Sequence, residues 1–334
     1  MERANPGSAV EPAGDGVVGT RGQTATAQPP VHRVRGARAG GVVRPNQPAW
    51  ERIARRTAHW GLVTAGRPVY RARMLPSFLI VGVERCGTSS MYEVLSWHPA
   101  VFSAILPRKE VHYFDYHYQH PLSWYRCHFP LRARAARAAR GTGVVAPMAF
   151  EASPTYMCHP LAPDRIARDL PGVKLLVLLR DPVARAYSSH TMRAGWGVET
   201  EPFERALELE DSRLAGEAER MATDPSYVGY NWRHFAYRSR GQYVEQLERL
   251  ERLVGRDRIH VIDSGDFFAS PGRVYDQVLD FLGLPHVGHP AFDPPGTRSR
   301  PPMPDSVRKA LEEHYRPYDD RLAAWLGHEP SWRR

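Results

Sequence analysis

Apolar positions along this chain fall into two periodicities. Phe78-Leu-Ile-Val81 is a short unbroken apolar run between turn residues, which reads as a strand buried on both faces. Met91, Val94 and Leu95 follow at helical spacing. Lys174-Leu-Leu-Val-Leu-Leu-Arg180 repeats the first pattern, and Tyr243, Leu247 and Leu250 repeat the second. The pattern predicts strands at 77–83, 147–152, 173–180 and 258–263. It predicts helices at 88–97, 131–140, 161–169, 182–193, 239–254, 271–282 and 304–325. Residues 196–231 read as a partly helical insertion and 285–303 as a loop. Strands alternating with helices imply an α/β fold: one domain with a central, P-loop-type parallel sheet and helices on both faces. Ligands of such sheets bind beyond the carboxyl ends of the strands.

Two strand ends carry candidate chemistry. Gly82 and Gly87 bracket a loop with the spacing Gly-x4-Gly, and Thr88, Ser89 and Ser90 open the next helix. Backbone N–H groups at such a helix start hold anionic oxygens. A nucleoside triphosphatase has lysine directly after the second glycine. Thr88 stands there instead, which argues against ATP or GTP hydrolysis, and the loop cation is Arg85. The second strand ends at Arg180, followed by Asp181 and by Pro182 at a favourable first helical position. Arg185, Ser188 and Ser189 lie on the opening turns. An arginine at a strand tip and a serine two turns along can converge on one phosphate. The plain alternative makes Arg180-Asp181 a capping detail and Arg185 a solvated charge.

With these segments the chain resembles the sulfotransferases that use 3′-phosphoadenosine 5′-phosphosulfate (PAPS), most closely the carbohydrate type typified by heparan sulfate sulfotransferases. R-D-P-V-A-R-A-Y-S, from Arg180 to Ser188, matches the family's R-D-P-x-x-R-x-x-S at every fixed position. P-R-K-E-V-H-Y-F-D (107–115), E-A-S-P-T-Y (151–156), G-Q-Y-V-E-Q-L (241–247) and D-F-L-G-L (280–284) follow in the family's order. R-S-R-P-P-M-P (298–304) resembles a loop that closes over the nucleotide. The likeness covers about residues 75–328.

The resemblance implies transfer of a sulfuryl group from PAPS to a hydroxyl or amine of a glycan, or of a glycosylated or small-molecule acceptor, with no metal. It implies that the first loop (Arg85, Cys86, Gly87, Thr88, Ser89) holds the 5′-phosphosulfate. Arg180 and Ser188 would hold the 3′-phosphate, and Arg298 and Arg300 would contact the nucleotide phosphates. Glu110 is the implied general base. His112 would orient the acceptor or assist proton transfer, sharing a face with Glu110 if the segment is extended. Asp115 would hold His112 or the acceptor, and Lys109 would add positive charge on the acceptor side. Tyr243 reads as a packing residue. Three positions depart from the family. Arg85 replaces a lysine and is expected to act by electrostatics, since a guanidinium is a poor proton donor. Cys86 replaces a glycine and reads as a small packing residue. Ala152 replaces a lysine, which weighs against a highly anionic glycosaminoglycan acceptor. A P-loop small-molecule kinase and a catalytically silent nucleotide-binding module are the alternatives.

Composition narrows the setting. The chain of 334 residues carries a net charge of +9. Residues 1–73 hold 12 arginines and four acids, so the basic character belongs to this end and the remainder is near +1. Residues 1–66, rich in Gly, Pro, Ala and Arg without periodicity, read as a disordered tail ahead of a domain at 67–334. A nucleic-acid arm would interleave aromatics, which are missing, so no nucleic-acid partner is expected. No apolar run reaches the ~18 residues of a membrane span, and no secretory signal is visible. With only Cys86, Cys127 and Cys158, reduced thiols and a cytoplasmic location are expected. Lysine occurs only at 109, 174 and 309, a bias that fits a bacterial member from a GC-rich genome. Oligomeric state is not legible.

Overall fold

A computed structural model describes residues 66–334, apart from 106–108, 145, 225–226 and 293–300, together with positions 57, 61, 63 and 64. The expected disordered tail therefore lies almost wholly outside the described residues, as do Arg298 and Arg300. The core is a single five-stranded parallel sheet with strand order β2-β3-β1-β4-β5. The strands are β1 Phe78–Gly82, β2 Val101–Ser103, β3 Met148–Ala152, β4 Lys174–Leu179 and β5 Ile259–Asp263. The sheet is flanked by helices, as the alternating pattern predicts.

β1 occupies the middle of the sheet because its side chains tolerate burial on both faces. Phe78, Leu79, Ile80 and Val81 are wholly buried; each such apolar side chain contributes roughly 1.5–3 kcal/mol. β1 pairs with β3 on one side (Leu79 opposite Glu151, Ile80 opposite Ala152) and with β4 on the other (Ile80 opposite Leu176). The carboxyl ends of β3, β1 and β4 therefore lie side by side. β3 delivers Glu151, β1 the Gly82–Gly87 loop and β4 Arg180 to one edge of the sheet.

The predicted elements recur with small shifts at their ends. β2 was not expected; three residues are too few for a periodicity to show. The helix expected at 239–254 begins instead as a 3-10 turn, Ser239–Gly241, and continues as Tyr243–Val254. The break falls at Gly241, where a Cβ would come within 2.6 Å of the Tyr315 hydroxyl. The insertion forms the short helices Phe203–Glu208, Glu210–Leu214 and Glu217–Thr223, followed by Tyr230–Phe235. A small apolar cluster, including Val183, Phe203, Tyr237, Met303 and Tyr315, ties the insertion to the helices Pro182–Gly195 and Asp305–Leu326.

Candidate active site

The Gly82–Gly87 loop leaves β1 and turns sharply. Arg85 and Gly87 both have left-handed backbones, with φ of 74° and 86°. Gly87 is required on two counts: its positive φ, and the Phe268 ring 3.1 Å from where a Cβ would stand. The helix Thr88–Ser96 starts directly after Gly87, and no side chain caps it. Its first N–H groups and dipole are thus available to an anion. Cys86 does not add a donor. Its N–H is bonded to the Val83 carbonyl, and its own carbonyl accepts from the Ser264 hydroxyl. Burial pushes its thiol up to about 11. The cofactor contact expected of Cys86 is therefore corrected to a packing role.

The second strand end meets the first. Arg85 Nε donates to Ser188 Oγ at 2.9 Å, joining two segments 103 residues apart. Asp181 caps the helix Pro182–Gly195 through Val183 N–H, so the capping interpretation of this residue holds. Arg180 presents its carbonyl to the Tyr243 hydroxyl at 2.9 Å. Tyr243 is fully buried, the packing tyrosine expected from the sequence. Arg185 is not a solvated charge. It is wholly buried, donates to the Tyr237 carbonyl, and its Nε and Nη1 have no partner among the described residues. The described chain resumes at Pro301, whose carbonyl accepts from Tyr187, the neighbour of Ser188.

On the opposite side of the cradle lies a continuous polar chain. Lys109 Nζ donates to Ser89 Oγ at 2.8 Å and to Glu110 Oε1 at 3.1 Å. The other Glu110 oxygen lies 3.4 Å from His112 Nε2, and His112 Nδ1 lies 2.9 Å from Asp115 Oδ2. The expected extended segment is not what brings Glu110 and His112 together. His112 has a left-handed backbone (φ 53°) at the start of the short helix Tyr113–Tyr116, and this turn folds the imidazole back onto Glu110.

The charges follow from this geometry. Burial disfavours the imidazolium, but Asp115 and Glu110 outweigh it and raise His112 to about 10. Burial likewise opposes the Glu110 and Asp115 charges. His112 and Lys109 nevertheless hold Glu110 below the ordinary range, and His112 holds Asp115 at about 2. His112 is thus a cation at neutral pH; it can orient and donate but not take up a proton. The Asp115 side chain is 0% exposed and also accepts from Thr155 and the Tyr116 N–H. It stands behind His112, the first of the two roles expected of it.

The roles of two carboxylates that build the site escaped the sequence reading. Glu151, wholly buried on β3, accepts from Val111 N–H, Ser153, Tyr125 and Tyr156, and so fixes the segment carrying Glu110. The E-A-S-P-T-Y motif contains it, but its role was not legible there. Glu84, inside the cradle loop, binds Arg193 at 2.9 and 3.1 Å and Arg240 at 2.9 Å. Burial opposes its charge, yet the two guanidiniums bring its carboxyl down to about 2. No short-range signal could have found this long-range cluster.

A family model described as a sulfotransferase domain matches residues 75–293. The chain belongs to the sulfotransferase family. Similar curated proteins include the human heparan sulfate glucosamine 3-O-sulfotransferase 5, 29% identical over 64% of this chain and 55% of that protein. The human 3-O-sulfotransferase 6 is 29% identical over 78% and 74%. A membrane-associated sulfotransferase of Dictyostelium discoideum is 23% identical over 77% and 66%. The chain thus spans about half the length of the 3-O-sulfotransferase 5 it matches. Among solved structures, a sulfotransferase from Alicyclobacillus acidocaldarius superposes with a TM-score of 0.55, at 28% identity, over 78% of this chain and all of that one. The family resemblance stated from the motifs and the α/β sheet of this sulfotransferase are both borne out.

Proposed function

We propose that this sulfotransferase moves a sulfuryl group from PAPS to a hydroxyl or amine of a glycan or glycosylated acceptor. The observation that carries this reading is the Arg85–Ser188 contact. It joins the two anion-binding strand ends into one site, across the uncapped helix start from Glu110. The residues present fit the donor. Arg85, the open N–H groups after Gly87 and the Ser188 hydroxyl supply cationic and hydrogen-bonding partners for phosphate oxygens. PAPS supplies a sulfuryl group already activated as an anhydride to phosphate.

The chain's own groups then divide the work. Glu110, ionised at neutral pH, takes the acceptor proton as the new bond to sulfur forms. Arg85 and the helix N-terminus stabilise the charge left on the departing phosphate oxygen. Lys109 bridges Ser89 of the cradle and Glu110, and would place a positive charge between the donor's sulfuryl group and the base. His112 keeps Glu110 oriented and ionised. A kinase reading gains nothing from the structure, because Thr88 stands where the phosphate-gripping lysine belongs. A reducing, cytoplasmic setting is part of the proposal, supported by three free thiols. Among the described residues no helix is long and apolar enough to cross a membrane.

Calorimetric titration with adenosine 3′,5′-bisphosphate tests the site, and a Glu110→Gln variant tests the chemistry. Both proteins are expected to bind the nucleotide alike, with transfer by the variant reduced by roughly 10²–10⁴. Absence of binding at millimolar nucleotide removes PAPS as donor. Turnover by the variant at the wild-type rate removes Glu110 as the base. A wild type that binds nucleotide yet transfers to no acceptor favours the silent module.

A further inference from the structure

Away from the site, one stretch of surface carries arginines and no acids. The 3-10 turn Arg67–Ala72 and the helix Arg132–Ala138 meet where Arg73 pairs antiparallel with Leu131 and the Met74 N–H bonds the Pro130 carbonyl. No acid occurs in the sequence between residues 52 and 83, or between 116 and 150. The helix is buried along a single line, at Ala135 and, one turn on, at Ala139. Arg134, Arg137 and Arg140 are exposed on the side away from that line, and Arg71 and Arg132 are exposed as well. Among the described residues none of these five guanidiniums has a carboxylate within 4.0 Å. Arg126 donates to the Arg73 carbonyl at 3.1 Å, and burial and the charge of Arg132 hold it below its ordinary value. Like charges three apart on a helix are unfavourable, and the described fold supplies no anion to offset them here.

Position separates this face from the chemistry. The junction of turn and helix precedes Phe78 of β1, and the chain runs on from it to Met148, the first residue of β3. The face therefore lies at the amino ends of the strands, whereas the cradle and Glu110 stand at the carboxyl ends. What it binds is not the acceptor.

The surface chemistry narrows the partner. Val69 and Leu131, at the junction, stay 44% and 37% exposed. Between the arginines stand Ala133, Ala136 and Ala138, all exposed and too small to hold a flat surface away. Cations beside apolar tips match the headgroup layer of an anionic bilayer, where guanidiniums meet phosphates and apolar groups enter between them. A strand of nucleic acid would be gripped by stacking aromatics, and residues 131–140 contain none. Residues 1–66 carry nine arginines against four acids, so the sequence leading into the turn is itself basic.

We propose that this face is a peripheral docking surface for an anionic lipid bilayer. Arg132, Arg134, Arg137 and Arg140 meet lipid phosphates, and Val69 and Leu131 reach the headgroup layer. The cradle, at the other end of the sheet, stays open to solvent. The inference does not depend on the donor or the acceptor.

Co-sedimentation of the full chain with vesicles tests it. Vesicles with about one phosphatidylglycerol in three lipids, the rest phosphatidylcholine, are expected to bind the protein, and pure phosphatidylcholine is not. Each arginine near such a surface changes partition by about fivefold, so Arg134→Gln/Arg137→Gln/Arg140→Gln should weaken binding by about 10²-fold. The matching lysine variant should keep most of it, since the bilayer responds to charge. Leu131→Ser should weaken it by about fourfold or more, the scale of one methylene buried in lipid. The glutamine variant should melt no lower than wild type by circular dichroism, because it removes repulsion; should it melt early, Arg137→Gln alone decides, through a loss of about fivefold. No binding of the wild type to anionic vesicles, or equal binding to pure phosphatidylcholine, overturns the proposal. Equal binding by the glutamine variant places any attachment elsewhere and overturns it too. Release from the vesicles by a DNA duplex at equal phosphate concentration assigns the face to nucleic acid and overturns the bilayer.

Discussion

Replacing Glu84 by glutamine keeps the shape of the side chain and removes its charge. Arg193 and Arg240, both almost fully buried, then lose their shared carboxylate. Each keeps only the backbone carbonyls of Trp232 or Arg233, and the Nε of each already lacks a partner among the described residues. Two routes give the cost. Glu84 is displaced from 4.5 to about 2, which corresponds to about 3 kcal/mol of stability at neutral pH. Breaking a buried ion pair from one side costs ~3–5 kcal/mol in general. At roughly 2–4 °C per kcal/mol for a domain of this size, the unfolding midpoint should fall by roughly 10 °C. The pH dependence carries a sign. A depressed carboxylate contributes fully above its unfolded value of 4.5, and its contribution fades as pH falls through about 2. The gap between wild type and Glu84→Gln should therefore be full at neutral pH and shrink in acid. Thermal unfolding followed by circular dichroism across this range measures it. A variant within ~0.5 kcal/mol of wild type at neutral pH, or a gap that does not shrink in acid, refutes the cluster as a stabilising element.

Two further outcomes follow from the site. Asp115→Asn removes the main support of the imidazolium, so His112 should fall from about 10 towards its ordinary 6.5, read by NMR titration of the ring; a value that stays near 10 refutes the Asp115 assignment. The stability that His112 adds is complete below 6.5 and is lost as pH rises through about 10, and in the variant that loss should move to lower pH. Gly87→Ala combines a left-handed backbone (φ 86°) with a Cβ 3.1 Å from Phe268. Strain of ~1–2 kcal/mol from the backbone alone should weaken bisphosphate binding by about tenfold in calorimetry, and adding Phe268→Ala should recover only the steric part. Unchanged affinity would show that the cradle does not depend on this turn.

The parts of the fold legible in the sequence are those whose signal is local. β1 and β4 are continuous apolar runs because both faces are covered, and such runs need no partner to be recognised. The two strand-end loops were legible for the same reason, since glycine spacing and a proline-started helix are short-range features. What failed was orientation. Nothing in Glu110-Val111-His112 announces that His112 adopts a left-handed backbone, so an extended segment was the natural reading. The alternative that made Arg185 a solvated helix charge fails because the Tyr237 carbonyl and the surrounding tyrosines enclose it, which no local signal could show. Glu84 reaches Arg193 and Arg240 across 109 and 156 residues, and only the assembled sheet brings them together.

The charge states place the chemical burden on geometry. Lys109 and His112 keep Glu110 ionised at neutral pH, and the same contacts make it a weaker base than an ordinary glutamate. A weak base cannot strip a proton from a hydroxyl before sulfur is attacked. In the proposed role it accepts that proton as the bond to sulfur forms and the hydroxyl acidifies, which couples proton transfer to sulfuryl transfer. Coupled transfer requires acceptor, sulfur and leaving oxygen to be held in line. This explains the rigid joining of the three sheet ends. Glu151 fixes the Glu110 segment, the Arg85–Ser188 contact joins the two strand ends, and Glu84, through Arg193 and Arg240, ties the helix Tyr230–Phe235 to the cradle loop.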